Sequence, residues 1–123
     1  MILSELQIEE IRSHMLQNEE ALKIKYKARK DNFVRKRVLH NEVDDWAAKG
    51  FMEQSSTSRK TIMVKQKEHS IQFEDDVWCM FYNLGFRILN NDEHLVIQWG
   101  PNKEDAQQLD VVAVSDDAIF VVE

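Results

Sequence analysis

The sequence is poor in the residues that define several protein classes. A single cysteine, Cys79, leaves no partner for an internal disulfide or a cysteine zinc site, which fits a reducing compartment. Cys79 itself reads as a buried helix residue. One proline and three glycines in 123 residues give no sign of a collagen-like, disordered or repeat architecture. No run of about eighteen apolar residues occurs. Met1-Ile2-Leu3-Ser4-Glu5 also lacks the basic-then-apolar layout of a signal peptide. The expectation is a soluble, cytoplasmic protein with no membrane partner. A glycine-rich phosphate loop is missing. His14, His40, His69 and His94 are scattered without metal-ligand spacing, so surface or capping roles are expected of them.

What is present is enough apolar content, 43%, for one modest core in one domain or a little more. The formal net charge of −6 argues against a general nucleic-acid coat, yet the charge is unevenly placed. Lys23, Lys25, Lys27, Arg29, Lys30, Arg35, Lys36 and Arg37 are opposed within their window only by Asp31, so this window carries +7 and the remainder −13. Two readings stand: a basic arm on an acidic body that contacts the phosphates of DNA, or a solvated helix face.

From Ser4 to Lys49 there is neither glycine nor proline, and Leu6, Ile8, Ile11, Met15, Leu22 and Tyr26 recur near helical spacing. With Ser4 and Gln7 as a capping box, one long helix or a helical pair is expected. Asn41 caps a short further helix that stops at Gly50. Gln54-Ser55-Ser56-Thr57-Ser58 reads as loop, and a boundary there divides a helical region, residues 1–58, from a mixed region, residues 59–123. Thr61–Lys67 is either a short strand or the run-in to a helix. Ser70–Leu84, with Phe73, Val77, Met80 and Phe81 on one stripe and Gly85 after it, is a helix. Phe86–Leu89 and Leu95–Trp99 are strands around an Asn90–Glu93 turn. Trp46, Trp78 and Trp99 are expected in core or interface positions.

The remainder reads as two strands, Gln108–Val114 and Ala118–Glu123, joined by a tight acidic turn at Ser115-Asp116-Asp117. If Asp116 and Asp117 are the turn residues, Asp110 lies opposite Glu123, roughly 4.5–5.5 Å away between Cβ atoms. A three-residue loop would slide that register. Val112, Val114, Ile119 and Val121 share the carboxylate face. Val111, Ala113, Ala118, Phe120 and Val122 fill the other, so both faces need cover. Two ionised carboxylates in such a setting call for a cation, and a divalent metal is the simplest one.

Glu74 on a helix, Asp110 in a strand and Glu123 after Phe120-Val121-Val122 resemble the start of a PD-(D/E)XK nuclease domain. Phe73-Glu74-Asp75-Asp76-Val77 with Leu84-Gly85-Phe86 looks like that family's first helix, and Gln108-Leu109-Asp110-Val111 like its metal strand. A fainter resemblance is to nuclease-like segments that precede DGQHR-type domains in bacterial DNA-modification and defence proteins. The resemblance spans about Ser70–Glu123 and implies an α/β (α+β) fold: a helical N-terminal region followed by an incomplete restriction-endonuclease-like helix-strand-strand-strand core. It implies Mg2+ or Mn2+ held by Asp110 and Glu123, with Glu74 as a third ligand or a base, and DNA as substrate. The family's lysine falls two residues after the acid, so a fragment is expected, its uncovered sheet masked by a second copy or a partner chain. The competing expectations are an inactive nuclease-fold DNA-binding or sensing module and a helical interaction protein.

Overall fold

Ser4 opens the first helix as expected. Its hydroxyl accepts from the Gln7 N–H at 3.2 Å while Gln7 Oε1 accepts from the Ser4 N–H at 2.8 Å, the reciprocal capping box. The computed structural model describes residues 4–91, 95–98 and 106–123. Helix α1, Glu5–Ser13, is short, and Met15–Leu16 forms strand β1. Asn18 then caps helix α2, Glu19–Lys30, by accepting from the Ala21 N–H. Of the long helix or helical pair expected between Ser4 and Lys49, a pair of helices forms, and the second stops at Lys30. Asp31 Oδ1 accepts from the Phe33 N–H and turns the chain into strand β2, Phe33–Leu39. A 3-10 turn at His40–Glu42 precedes helix α3, Val43–Ala48. Strand β3 is Met52–Ser56, where a loop was expected, and β4 is Lys60–Gln66.

Helix α4 is His69–Asn83, followed by β5, Leu89–Asn90; β6, Leu95–Gln98; β7, Ala106–Leu109; β8, Val111–Val114; and β9, Ile119–Val122. The expected break at Gly100-Pro101-Asn102-Lys103, most of the Asn90–Glu93 turn, Trp99 and His94 lie outside the described residues. The fold is α+β.

Helices α3 and α4 end by the same device. Gly50 and Gly85 take φ of +94° and +105°, a left-handed conformation that only glycine reaches cheaply. In each case the glycine N–H donates back three residues and the next N–H donates back five, Phe51 to Trp46 and Phe86 to Phe81. The hydrophobic contact of a Schellman ending is an edge-to-face ring pair both times, with centroids 5.2 Å apart in Trp46–Phe51 and in Phe81–Phe86.

Contacts divide the chain into two compact units, Met1–Lys30 with Phe73–Glu123, and Asp31–Gln72. The expected boundary near Ser55–Arg59 is instead the hairpin turn between β3 and β4, inside the second unit. In the first unit β1, β5, β8 and β9 form one antiparallel sheet in that order, and β6 and β7 form a separate two-stranded ribbon. In the second unit β4 lies between β2 and β3, all antiparallel.

Strand β8 is the centre of the first unit, and all four of its residues are buried. Val111 and Ala113 pack into a cluster with Leu22, Trp78, Phe81 and Leu89, which brings α2 and α4 over one face. Val112 and Val114 join Ile11, Leu95, Ile97 and Leu109, which brings α1 and the β6–β7 ribbon over the other. Cover on both faces of this strand is what its uninterrupted apolar sequence demands.

Candidate functional site

The Asp110 hairpin forms in the expected register. Val111 pairs with Val122, Val112 with Val121, Ala113 with Phe120 and Val114 with Ile119. Asp116 and Asp117 are the two turn residues, closed by the Ser115 N–H donating to the Ala118 carbonyl at 2.9 Å, with the Ser115 hydroxyl on Asp117 Oδ1. The carboxylates follow the last rung. Asp110 does not continue the strand as expected. It forms a bend between β7 and β8, and its N–H donates to the Val122 carbonyl at 2.9 Å, immediately before Glu123. The two acids thus flank one rung at one end of the hairpin.

The bend has a visible cause. Strict alternation would set Leu109 on the face of Val111, yet Leu109 packs with Val112 and Val114 because β7 leaves the sheet to pair with β6. Asn90 stabilises the departure. Fully buried, its amide donates to the Asp110 carbonyl at 3.1 Å and its oxygen accepts from the Val112 N–H at 3.0 Å, bridging across the bend. The Asn90 carbonyl takes the indole N–H of Trp78 at 3.0 Å, so α4 is tied to the same point. Asp110 is half-buried, and its Oδ1 accepts from the Gln108 amide at 3.0 Å. Glu123 is exposed.

Glu74 sits in α4 one turn before Trp78, half-buried. It does not join the other two: no three His, Cys, Asp or Glu gather into a metal-holding group among the described residues. Asp110 and Glu123 are nevertheless a donor set that a hard divalent cation accepts, since Mg2+ is held by one or two carboxylates with waters and substrate phosphates completing its shell.

The basic window does not form one arm. Lys23, Lys27 and Lys30 share an exposed stripe of α2, whereas Lys25 is half-buried. Arg29 is removed from the expected DNA-contacting set because it is 2% exposed. Its Nη1 donates to Asp75 Oδ1 at 2.9 Å, and its Cζ lies 5.3 Å from the centroid of Trp78. Breaking a buried pair of this kind costs about 3–5 kcal/mol because the charge left behind is uncompensated, so Arg29 and Asp75 have a structural role inside the first unit. Asp75, and not its expected neighbour Glu74, is the fully buried acid of α4. The available signal was the stripe Asp75, Trp78, Cys79 and Tyr82 at helical spacing. Arg35, Lys36 and Arg37 lie on β2 in the second unit, all exposed.

In the second unit, Arg35 Nε donates to Asp31 Oδ2 at 2.6 Å and its Nη1 to Gln54 Oε1 at 2.8 Å. The Arg35 guanidinium holds the Asp31 carboxyl below its ordinary value, and Asp31 raises Arg35 in turn. No family model, curated protein or solved structure matches the chain.

Proposed function

We propose that this chain carries the carboxylate part of a divalent-metal-dependent nuclease core, with Asp110 and Glu123 as ligands and nucleic-acid phosphodiesters as substrate. The observation that carries the reading is the hairpin register, which ends with both acids flanking the Val111–Val122 rung at one end of β8 and β9. In chain order α4 is followed by β5, the β6–β7 ribbon, β8 and β9; β5, β8 and β9, neighbours in one sheet, supply the helix-strand-strand-strand order of the resemblance, with the ribbon inserted between the first two of them. Bound there, Mg2+ or Mn2+ would polarise a phosphate oxygen and acidify a water. The protein's own groups do the positioning. Asn90 and Trp78 fix the backbone on which Asp110 stands, and Gln108 fixes one oxygen of its carboxylate.

A second reading has its own support. With no third ligand gathered at the pair among the described residues, a nuclease-type framework that binds DNA without cutting it accommodates the same geometry. One experiment separates the two. Labelled single- and double-stranded DNA is incubated with the protein and 10 mM Mg2+ or Mn2+. Cleavage stopped by a chelator and by Asp110→Ala supports hydrolysis; retention of DNA without cleavage supports the second reading. Cleavage unchanged in Asp110→Ala would remove the carboxylates from the account.

A further inference from the structure

In the second unit the strand register sorts the paired side chains onto two faces, Gln54 falling at the irregularity between Glu53 and Ser55. Val38, Thr61 and Met63 mark the buried face, on which α3 lies, with Lys36 Nζ 6.0 Å from the centroid of Trp46. The opposite face carries Phe33, Leu39, Met52, Ile62 and Val64. Three of these remain well exposed: Phe33 at 42%, Leu39 at 45% and Met52 at 72%. Exposed apolar side chains spread along one sheet face give a partner apolar surface to rest on, and the polar groups among them give it specificity.

The strands contribute charge of one sign to it, and Asp31, just before β2, is ion-paired with Arg35 at its end. Arg35, Arg37 and Lys60 share this face, while the one carboxylate of the three strands, Glu53, pairs with Met63 on the other. The unit as a whole holds eight Lys and Arg against six Asp and Glu, in a chain whose net charge is −6. A polyanion is the complementary partner.

Arg35 narrows the class. Its guanidinium is tied along one edge by Asp31, through Nε at 2.6 Å, and along another by Gln54, through Nη1 at 2.8 Å. Its Cζ lies 5.9 Å from the Phe33 ring centroid. With its Cζ over the Phe33 ring and its edges engaged, the guanidinium leaves its outer flat face for stacking. An acidic peptide or a lipid headgroup has no use for two preset π surfaces, whereas an unpaired base does.

We propose that this sheet face binds single-stranded nucleic acid, with Phe33 and the plane of Arg35 stacking on bases while Arg37 and Lys60 meet phosphates. Strands of seven residues run about 23 Å, room for about four nucleotides, at the small end of such sites. The surface is distinct from the carboxylate pair of the first unit, so each reading stands or fails by itself.

The test is fluorescence anisotropy of a 5′-fluorescein 12-nucleotide oligothymidine with the full chain in 50–200 mM NaCl. Arg37→Gln and Lys60→Gln should each weaken binding about fivefold and lower the salt slope by about one. Phe33→Ala and Phe33→Leu should both weaken it about tenfold with the slope unchanged, the leucine variant keeping the apolar volume and removing only the ring. Lys36→Gln, on the other face, should stay within twofold of wild type. No binding at 50 mM salt overturns the proposal. So does an equal loss in Lys36→Gln, a wild-type affinity in Phe33→Leu, or a preference for phosphatidylserine vesicles over the oligonucleotide.

Discussion

Asp31 and Arg35 give the clearest electrostatic signature in the chain. The Asp31 carboxyl is held below its ordinary 3.8, chiefly by the hydrogen bond from Arg35. Because the folded value is the lower one, the pair's stabilisation is present in full above the unfolded pKa and is lost as pH falls through the folded pKa. The melting-temperature gap between wild type and Asp31→Asn should therefore be largest near neutral pH and close on acidification below about pH 3.8. A gap independent of pH would contradict the assignment. At this scale the sequence was readable where a residue has a local role: Ser4, Gln7, Gly50 and Gly85 act as their types and positions imply. Asn90 and Asp75 were not, because the groups they satisfy lie far along the chain, Asp110 and Val112 for one and Arg29 for the other.

Among the elements, the β8–β9 hairpin was legible down to its register because a two-residue acidic turn between alternating aliphatic runs leaves few pairings. The N-terminal region was not. Its apolar residues keep helical spacing through Tyr26, and the stops are polar side chains acting locally, Asn18 as a helix cap and Asp31 as a turn former. Those two were the available signals. Phe33–Leu39 has β-branched or aromatic residues at three of its seven positions, and its pairing with β4 outweighs the helix propensity of Arg35, Lys36 and Arg37. The break between β7 and β8 depends on Asn90. Removing its amide in Asn90→Ala orphans the Asp110 carbonyl and the Val112 N–H, a cost of about 2–4 kcal/mol in urea unfolding. A loss under about 0.5 kcal/mol would show that the bend holds without it.

For the whole molecule, an α+β fold was legible, and its division was not. The second unit is inserted between α2 and most of α4, so the first is assembled from both ends of the sequence. A linear scan for polar boundaries finds hairpin turns in such a chain more readily than unit edges. The insertion also separates the basic window into α2 and β2, and it places the carboxylates and the cationic sheet face in different units. Among the described residues no helix is long and apolar enough to cross a membrane.

The proposed site, a divalent cation held jointly by Asp110 and Glu123, is tested by the melting temperature with and without 10 mM Mn2+, for wild type, Asp110→Ala and Glu123→Ala. A cation at ten times its dissociation constant stabilises by about 1.4 kcal/mol, a rise of about 4–8 °C for a small domain. That rise is expected in wild type and its loss in both variants. An unchanged melting temperature in wild type, or an equal rise in all three proteins, would contradict it.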